Sequence, residues 1–153
     1  MGEPRPASLT DRPPSLSPVL DLAVDCDPPI EVGPVPGGTR RIVPITGGSF
    51  ESIGEHEIRG EVLPGGADWN LQREDGIFEV WARYLLRTDD GVVLTITNAG
   101  LARISGAGLV FRTTATFDVA DERYRWLARS VLVGHVEPRA PFTGVDVRLY
   151  QVD

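Results

Sequence analysis

The sequence predicts an all-β protein: a single antiparallel β-barrel of about eight strands with one short helix. Seventeen glycines and thirteen prolines in 153 residues are typical of a chain with frequent turns rather than long helices. Short segments rich in Val, Ile, Leu, Phe and Thr alternate with Gly, Pro and Asp, as antiparallel strands do. Because closure removes exposed strand edges, about eight such strands in one small domain favour a barrel.

The predicted strands follow one another along most of the chain. They cover residues 19–25, 40–45, 50–63 with an interruption near Gly54 or Gly60, 77–88, 92–100, 109–117, 130–137 and 144–152. Residues 89–91 form the turn of the clearest hairpin, Gly47-Gly48 is a turn or a bulge, and residues 31–40 and 62–76 are loops. Arg and Leu at helical spacing in residues 121–130 predict the short helix, near 123–128.

Composition limits the class of protein. Residues 1–17 are broken by prolines and predict a disordered N-terminal tail, which leaves residues 18–153 as one domain. A net charge of −7 and a pI near 4.8 argue against nucleic-acid binding, which needs a basic surface. No apolar run is long enough for a membrane span. A single cysteine excludes an intrachain disulfide, and we expect a cytoplasmic protein.

The residue types argue against a bound cofactor or metal. All fifteen basic residues are arginine, which excludes Schiff-base chemistry on a lysine and is typical of a high-GC bacterial genome. The two histidines, His56 and His135, are far apart, and no metal-binding or phosphate-loop spacing occurs. We therefore expect no metal and no cofactor, and we expect a small-molecule ligand, with a homodimer as a possible assembly.

The segment 62–76 places a carboxylate and an indole side by side at Asp68 and Trp69. In a partly dry pocket, desolvation raises the pKa of such a carboxylate and makes it a usable base, while the indole offers a flat apolar wall. Alternatively, Asp68 caps a turn by accepting backbone N–H bonds, and Trp69 closes the barrel end. The sequence leaves both roles open for each residue.

The strand 77–88 carries further candidates. Phe78, Val80, Ala82, Tyr84 and Leu86 share one face, which is apolar enough to be core. Tyr84 is either a core tyrosine or a donor to a substrate oxyanion, and Arg83, on the other face, either stabilises that charge or forms a surface ion pair. We add Trp81 and Phe50 to the predicted substrate-binding side chains.

Two more polar residues end or interrupt predicted strands. Asn98 ends the apolar stripe of residues 92, 94 and 96, where it either contacts a ligand at the barrel mouth or caps the turn at Gly100. Arg112 either pairs with an acidic substrate or with Asp68, or forms a structural salt bridge. Tyr124 and Trp126 are expected to hold the helical turn over one end of the barrel.

Seven motifs along the chain form one set: "RRIVPITGGSFE", "GEVLPGGADW", "ARYLLRTDDG", "ITNAG", "FRTTATF", "ERYRWLARSVLVG" and "VDVRLYQV". Taken together, they resemble the DUF3237 family, also called UPF0311. The match runs from residue 40 to residue 152, and "LPGGADW" is its most specific part. The resemblance implies a small lipocalin-like or calycin-like barrel. It also implies small-molecule metabolism, with cofactor-free cyclisation or conjugate addition in natural-product pathways. Trp81 stands where the resemblance leads us to expect an acidic residue. If that residue acts as a base in relatives, the role of base in this chain falls more to Asp68.

Three functions remain open at this point. The first is a cofactor-independent enzyme of secondary metabolism that uses Asp68, Tyr84 and Arg83 in cyclisation, isomerisation or conjugate addition. The second is a barrel that binds a small molecule without catalysis, and the third is a structural homodimeric module. A pocket with a perturbed carboxylate and donors favours the enzyme, an apolar pocket without a titrating group favours the binder, and a filled barrel favours the structural module.

Overall fold

The computed structural model describes residues 2–4, 12–106 and 108–153. They form ten strands, β1 to β10 in chain order, and one 3-10 helix, Glu122–Tyr124. The strands are Leu16–Cys26, Ile30–Val35, Gly38–Ser52, Arg59–Val62, Ala67–Arg73, Phe78–Thr88, Val93–Ser105, Gly108–Asp118, Leu132–Pro138 and Gly144–Val152. Within these described ranges, no helix has the length and hydropathy that crossing a membrane requires.

The strands close into an antiparallel barrel with eight strand positions, which confirms the predicted fold class. Strand β3 is fifteen residues long, and two strands lie along each of its edges: β2 and β1 on one side, β5 and β4 on the other. Strands β6 to β10 then follow as consecutive antiparallel neighbours, and β10 pairs with β1 to close the wall.

Both predicted loops contain strands. Residues 31–40 form most of a hairpin, in which Gly37 adopts a positive φ of 96° at the turn between β2 and β3. Residues 67–73 form β5, so Asp68 and Trp69 lie on a strand and not on a loop. The predictions were wrong there because β5 contains Ala, Asp, Asn, Gln and Arg, which have little preference for strands.

Most other boundaries lie within a few residues of those expected, but the predicted strands 40–45 and 50–63 are divided differently, into β3 (Gly38–Ser52) and β4 (Arg59–Val62). The predicted helix is present as the three-residue 3-10 turn, capped by the Asp121 side chain and followed by further turns. The pairing of β1 with β3 shifts register between Asp25 and Cys26, whose partners are Gly47 and Ile45, so the bulge lies at Thr46, next to the predicted Gly47-Gly48 position. Strand β1 begins at Leu16, two residues before the predicted domain start. Residues 1 and 5–11 of the predicted tail lie outside the described part of the chain.

Half of the barrel interior is filled. Successive residues of each strand point alternately into and out of the barrel. The largest inward-pointing apolar side chains meet at the end near the 3-10 helix. This filled core consists of Leu20, Leu86, Leu94, Ile96, Leu127, Leu132 and Leu149 with their neighbours. Trp126 stacks on His56 with 3.9 Å between ring centroids at this same end, as the predicted covering role of Trp126 requires. The opposite half of the barrel contains a cavity.

Candidate functional site

The cavity has a volume of about 400 Å³ and lies between the inner faces of the strands and the loops at the open end. This volume is within the ~300–1,000 Å³ range of small-molecule sites. Most of its lining is apolar, and Pro29 and Phe142 contribute from connecting segments. Ala82, whose side chain is small, lines the cavity on β6. The polar lining side chains come from β1, β3, β5, β6, β7 and β8.

Asp68 provides the carboxylate of this cavity. Its strand β5 lies between β3 and β6, where Asp68 pairs with Val43 and Ala82. The Trp81 backbone N–H donates a 2.8 Å hydrogen bond to Asp68 Oδ1 and fixes the orientation of the carboxylate. Burial raises the pKa of Asp68, and this effect outweighs the Trp81 hydrogen bond and the other interactions that favour the charged form.

Asn70 and Arg41 lie beside Asp68 on the cavity wall. Asn70 follows Asp68 by two residues and therefore shares its face of β5, and it pairs with Arg41 of β3. The Asn70 side chain and the charge of Arg41 both lower the pKa of Asp68, although less than burial raises it. The Arg41 guanidinium lies 5.8 Å from the centre of the Phe78 ring. This part of the wall therefore combines a positive charge with an aromatic surface.

Asn98 and Thr113 lie more deeply than Asp68. The exposed fractions of the two residues are 5% and 6%, whereas Asp68 is half-buried. Among the described residues, neither Asn98 Oδ1 nor Thr113 Oγ1 has a hydrogen-bond partner, although both atoms are buried. Buried polar atoms in folded proteins are nearly always paired. This pair is therefore an unusual feature of the cavity wall.

Tyr84 and Cys26 complete the set of titratable cavity residues. Burial, with a smaller contribution from Cys26, raises the pKa of the Tyr84 hydroxyl, which keeps it protonated and able to donate. Burial, and next the charge of Asp68, raises the pKa of Cys26 to about 11. Because the thiolate is the nucleophilic form, Cys26 is not an activated nucleophile.

The structure brings three of the eight predicted site residues together and places the other five outside the cavity. Asp68, Tyr84 and Asn98 line it. Trp69 is on the opposite face of β5 from Asp68, with 51% of its surface exposed, and does not form a pocket wall. Trp81 and Arg83 are on the outer face of β6, because neighbouring strand residues point to opposite sides.

The remaining predicted contacts also lie elsewhere. Arg83 contacts Asp118 at 3.5 Å on the surface, which is the ion-pair alternative. Arg112 is on the outer face of β8, where its Nη1 lies 3.0 Å from His135 Nδ1, and not beside Asp68. Phe50 is buried in the filled half of the barrel and does not line the cavity.

Four polar or titratable cavity residues were not predicted: Cys26, Arg41, Asn70 and Thr113. Asn70 would follow from Asp68 by alternation once β5 is recognised as a strand. Thr113 is the polar residue on the apolar face of β8, between Phe111 and Ala115, so its inward position was visible in the pattern. The position of Arg41 depends on the pairing of β3 with β5. In the part of the chain described, no three His, Cys, Asp or Glu side chains converge as metal ligands would.

Comparisons with known proteins agree with the fold. A family model described as "Protein of unknown function (DUF3237)" matches residues 14–152. The UPF0311 protein RPA1785 of Rhodopseudomonas palustris is 32% identical over 129 residues, which cover 75% of this chain and 82% of that protein.

Two solved structures have the same architecture. A β-barrel-like protein from Acinetobacter baumannii is 30% identical with a TM-score of 0.83, over 93% of this chain and 98% of the other. An enzyme from Penicillium herquei is similar in fold, with a TM-score of 0.73 at 22% identity over 100% of both chains. From the family match over nearly all of the described barrel, we conclude that the chain belongs to the DUF3237 (UPF0311) family.

Proposed function

We propose that the protein is an enzyme that transfers protons to and from a small organic molecule held in the barrel cavity, with Asp68 as the acid/base group. The observation that carries this proposal is the Asp68 carboxyl, whose pKa burial raises, in the wall of a cavity of about 400 Å³. A carboxyl whose pKa is raised above its ordinary value is better suited to general acid/base catalysis than an ordinary surface carboxylate. Perturbed carboxyls in clefts are frequent at active sites.

The neighbouring groups support proton abstraction next to a carbonyl. Removing such a proton leaves an enolate, whose oxygen needs a hydrogen-bond donor or a positive charge. The Tyr84 hydroxyl stays protonated, because burial raises its pKa, and it is a donor inside the cavity. Arg41 supplies a positive charge within the cavity, and we assign to it the oxyanion role predicted for Arg83.

The reaction class follows from this chemistry. Proton transfer next to a carbonyl leads to isomerisation, cyclisation or conjugate addition, and none of these needs a redox partner. The enzyme from Penicillium herquei indicates that a barrel of this shape is compatible with catalysis. We further propose a cytoplasmic role in natural-product chemistry, without a cofactor. The second candidate is a binder that does not catalyse, which the largely apolar lining favours.

Hydrogen exchange tests the proposal without knowledge of the natural substrate. The protein is incubated in D₂O with 2-tetralone, a bicyclic ketone with acidic C–H bonds, and deuterium uptake is followed by mass spectrometry. We expect uptake above the buffer rate, and Asp68→Asn should reduce this enhancement by about 10²–10⁴-fold, because the amide cannot accept the proton.

Asp118→Asn is the matched control, because this carboxylate is 80% exposed on the outer surface. It should leave the exchange rate unchanged. Equal exchange by the wild type and Asp68→Asn would remove Asp68 from catalysis. Binding of the ketone without exchange in either protein would favour the non-catalytic binder.

A further inference from the structure

We propose that Asn98 and Thr113 form a subsite that binds a hydroxyl group of the ligand, so that the cavity selects small molecules carrying a hydroxyl over those with a carboxylate at the same position. The proposal rests on the proposed function to the extent that the cavity holds a small organic molecule. It adds the chemical class of that molecule and the residues that recognise it.

The first support is the unpaired state of two deeply buried oxygens. Within the described residues, Asn98 Oδ1 and Thr113 Oγ1 have no partner, and both residues line the cavity. A buried polar group without a hydrogen bond lowers the stability of the folded protein by about 1–3 kcal/mol. Two such groups on adjacent strands, facing one cavity, are accounted for if a ligand supplies the missing partner.

The second support is that the two oxygens lie close to each other. An ideal Cβ built on Gly134 would lie 2.2 Å from Thr113 Oγ1 and 3.6 Å from Asn98 Oδ1. Both oxygens therefore border the same point, and a side chain at Gly134 would collide with the Thr113 hydroxyl. Gly134 pairs directly with Thr113 across β8 and β9. Glycine at this position leaves the Thr113 hydroxyl room.

The donor and acceptor properties define the group that fits. Asn98 Oδ1 can only accept, whereas the Thr113 hydroxyl can donate and accept. A ligand hydroxyl satisfies both, because it donates to Asn98 and accepts from Thr113. A carboxylate fits poorly, because its oxygens would face the Asn98 carbonyl without a proton to donate.

The position of the subsite relative to Asp68 also fits the proposed chemistry. Asp68 pairs with Ala82, and Ala82 pairs with Asn98, so the three lie in one row across three strands. The Cα atoms of Asp68 and Asn98 are therefore roughly 10 Å apart, at two strand spacings. A molecule of one or two rings could place a hydroxyl at Asn98 and a reacting carbon near Asp68, over the small side chain of Ala82.

The test compares two probes that differ by one hydroxyl, 2-naphthol and naphthalene, in equilibrium binding to the full chain. The wild type should prefer 2-naphthol by about tenfold, the contribution of a hydrogen bond to an otherwise unpaired partner. Thr113→Val keeps the shape of the side chain but removes the hydroxyl, and it should reduce the preference to about twofold or less. Thr113→Ser keeps a hydroxyl and should retain the preference.

Thermal unfolding of the free protein distinguishes a hydroxyl that binds ligand from one that stabilises the fold. Because Thr113→Val removes an unpaired buried polar group, the Tm of the free variant should rise by about 2–4 °C. Thr114→Val is the matched control, since Thr114 is the next residue on β8 and faces the outside. It should change neither the probe preference nor the Tm by a comparable amount.

The possible outcomes separate the subsite from the proposed catalysis. A lower Tm in Thr113→Val, with the preference for 2-naphthol unchanged, would show that the hydroxyl is structural and would overturn the subsite. Equal wild-type affinity for the two probes, or binding of neither, would also overturn it. Asp68→Asn should keep the full preference for 2-naphthol. A loss of hydrogen exchange in Asp68→Asn therefore supports the catalytic proposal only, and a loss of the preference in Thr113→Val supports the subsite only.

Discussion

Replacing Asp68 with asparagine should make the folded protein more stable than the wild type at neutral pH, and the gain should vanish in acid. In the folded protein, burial raises the pKa of Asp68 above the value of 3.8 expected for an aspartate in an unfolded chain. Asparagine has a similar size and can accept the Trp81 N–H bond through its own Oδ1. The substitution therefore removes the buried charge and leaves the local geometry in place.

The sign of the pH dependence follows from proton binding. At a pH below 3.8, Asp68 is protonated in both states and makes no difference to stability. Between 3.8 and the higher pKa of the folded state, the folded protein binds more protons than the unfolded chain, so stability falls as pH rises. Above the folded pKa the penalty is complete and constant, and Asp68→Asn does not carry it.

The magnitude is tied to the pKa itself. Each unit by which the folded pKa exceeds the unfolded value corresponds to about 1.4 kcal/mol of unfolding free energy. For a chain of 153 residues, that is about 3–5 °C in Tm per pKa unit. The pKa of Asp68, measured by carboxyl ¹³C NMR, therefore predicts the Tm difference between the two proteins without an adjustable parameter.

The assay is thermal unfolding of the wild type, Asp68→Asn and Asp118→Asn between pH 3 and pH 9. We expect the Tm advantage of Asp68→Asn to appear as pH rises and then to level off, while Asp118→Asn shows no such increase. A variant that is less stable than the wild type at pH 8, or a Tm difference independent of pH, would contradict the burial argument. So would a measured Asp68 pKa at or below 3.8.

Two further predictions concern other residues. The pKa of Cys26 is about 11 against an ordinary value of 9.0. Iodoacetamide at pH 8 should therefore label Cys26 about a hundredfold more slowly than an exposed thiol. Stoichiometric labelling within minutes, measured by mass spectrometry, would refute this. The predicted homodimer would use the outer face of β5 and β6, where Trp69 and Trp81 are 51% and 42% exposed. Trp81→Ser should then shift the sedimentation coefficient to that of the monomer without lowering Tm. An unchanged sedimentation coefficient would exclude this face as the dimer interface.

The strand β6 shows what could be predicted from sequence. Its alternation of apolar and polar residues placed Tyr84 inside, and the structure agrees. The same alternation places Arg83 outside, because a chain neighbour of Tyr84 cannot face the same cavity. The catalytic role predicted for Arg83 conflicted with that pattern. A stricter use of the period would have corrected it.

The strand β5 shows where sequence reasoning failed for a physical reason. Its polar residues Asp68 and Asn70 face the barrel interior, whereas Trp69 faces outward and is half-exposed. At these three positions the usual rule that the apolar face of a strand is buried is inverted, and such violations are expected where a site replaces a packed core. The inward position of Arg41 depends on the register between β3 and β5, which is a long-range pairing that local patterns do not contain.

The closure of the barrel between β10 and β1 has a consequence for how fast the chain folds. The hydroxyl of Ser17 donates to the carboxylate of Asp153 at 2.8 Å across this closing pair, and the two residues are 136 positions apart in the sequence. Bringing such distant segments together requires a large loss of chain entropy before any contact forms, and a topology dominated by distant pairings folds slowly, in about milliseconds to seconds. Until β10 docks, the free edges of β1 and β9 can pair with other chains, so substitutions that weaken this pair should increase aggregation during refolding more than they lower the equilibrium stability.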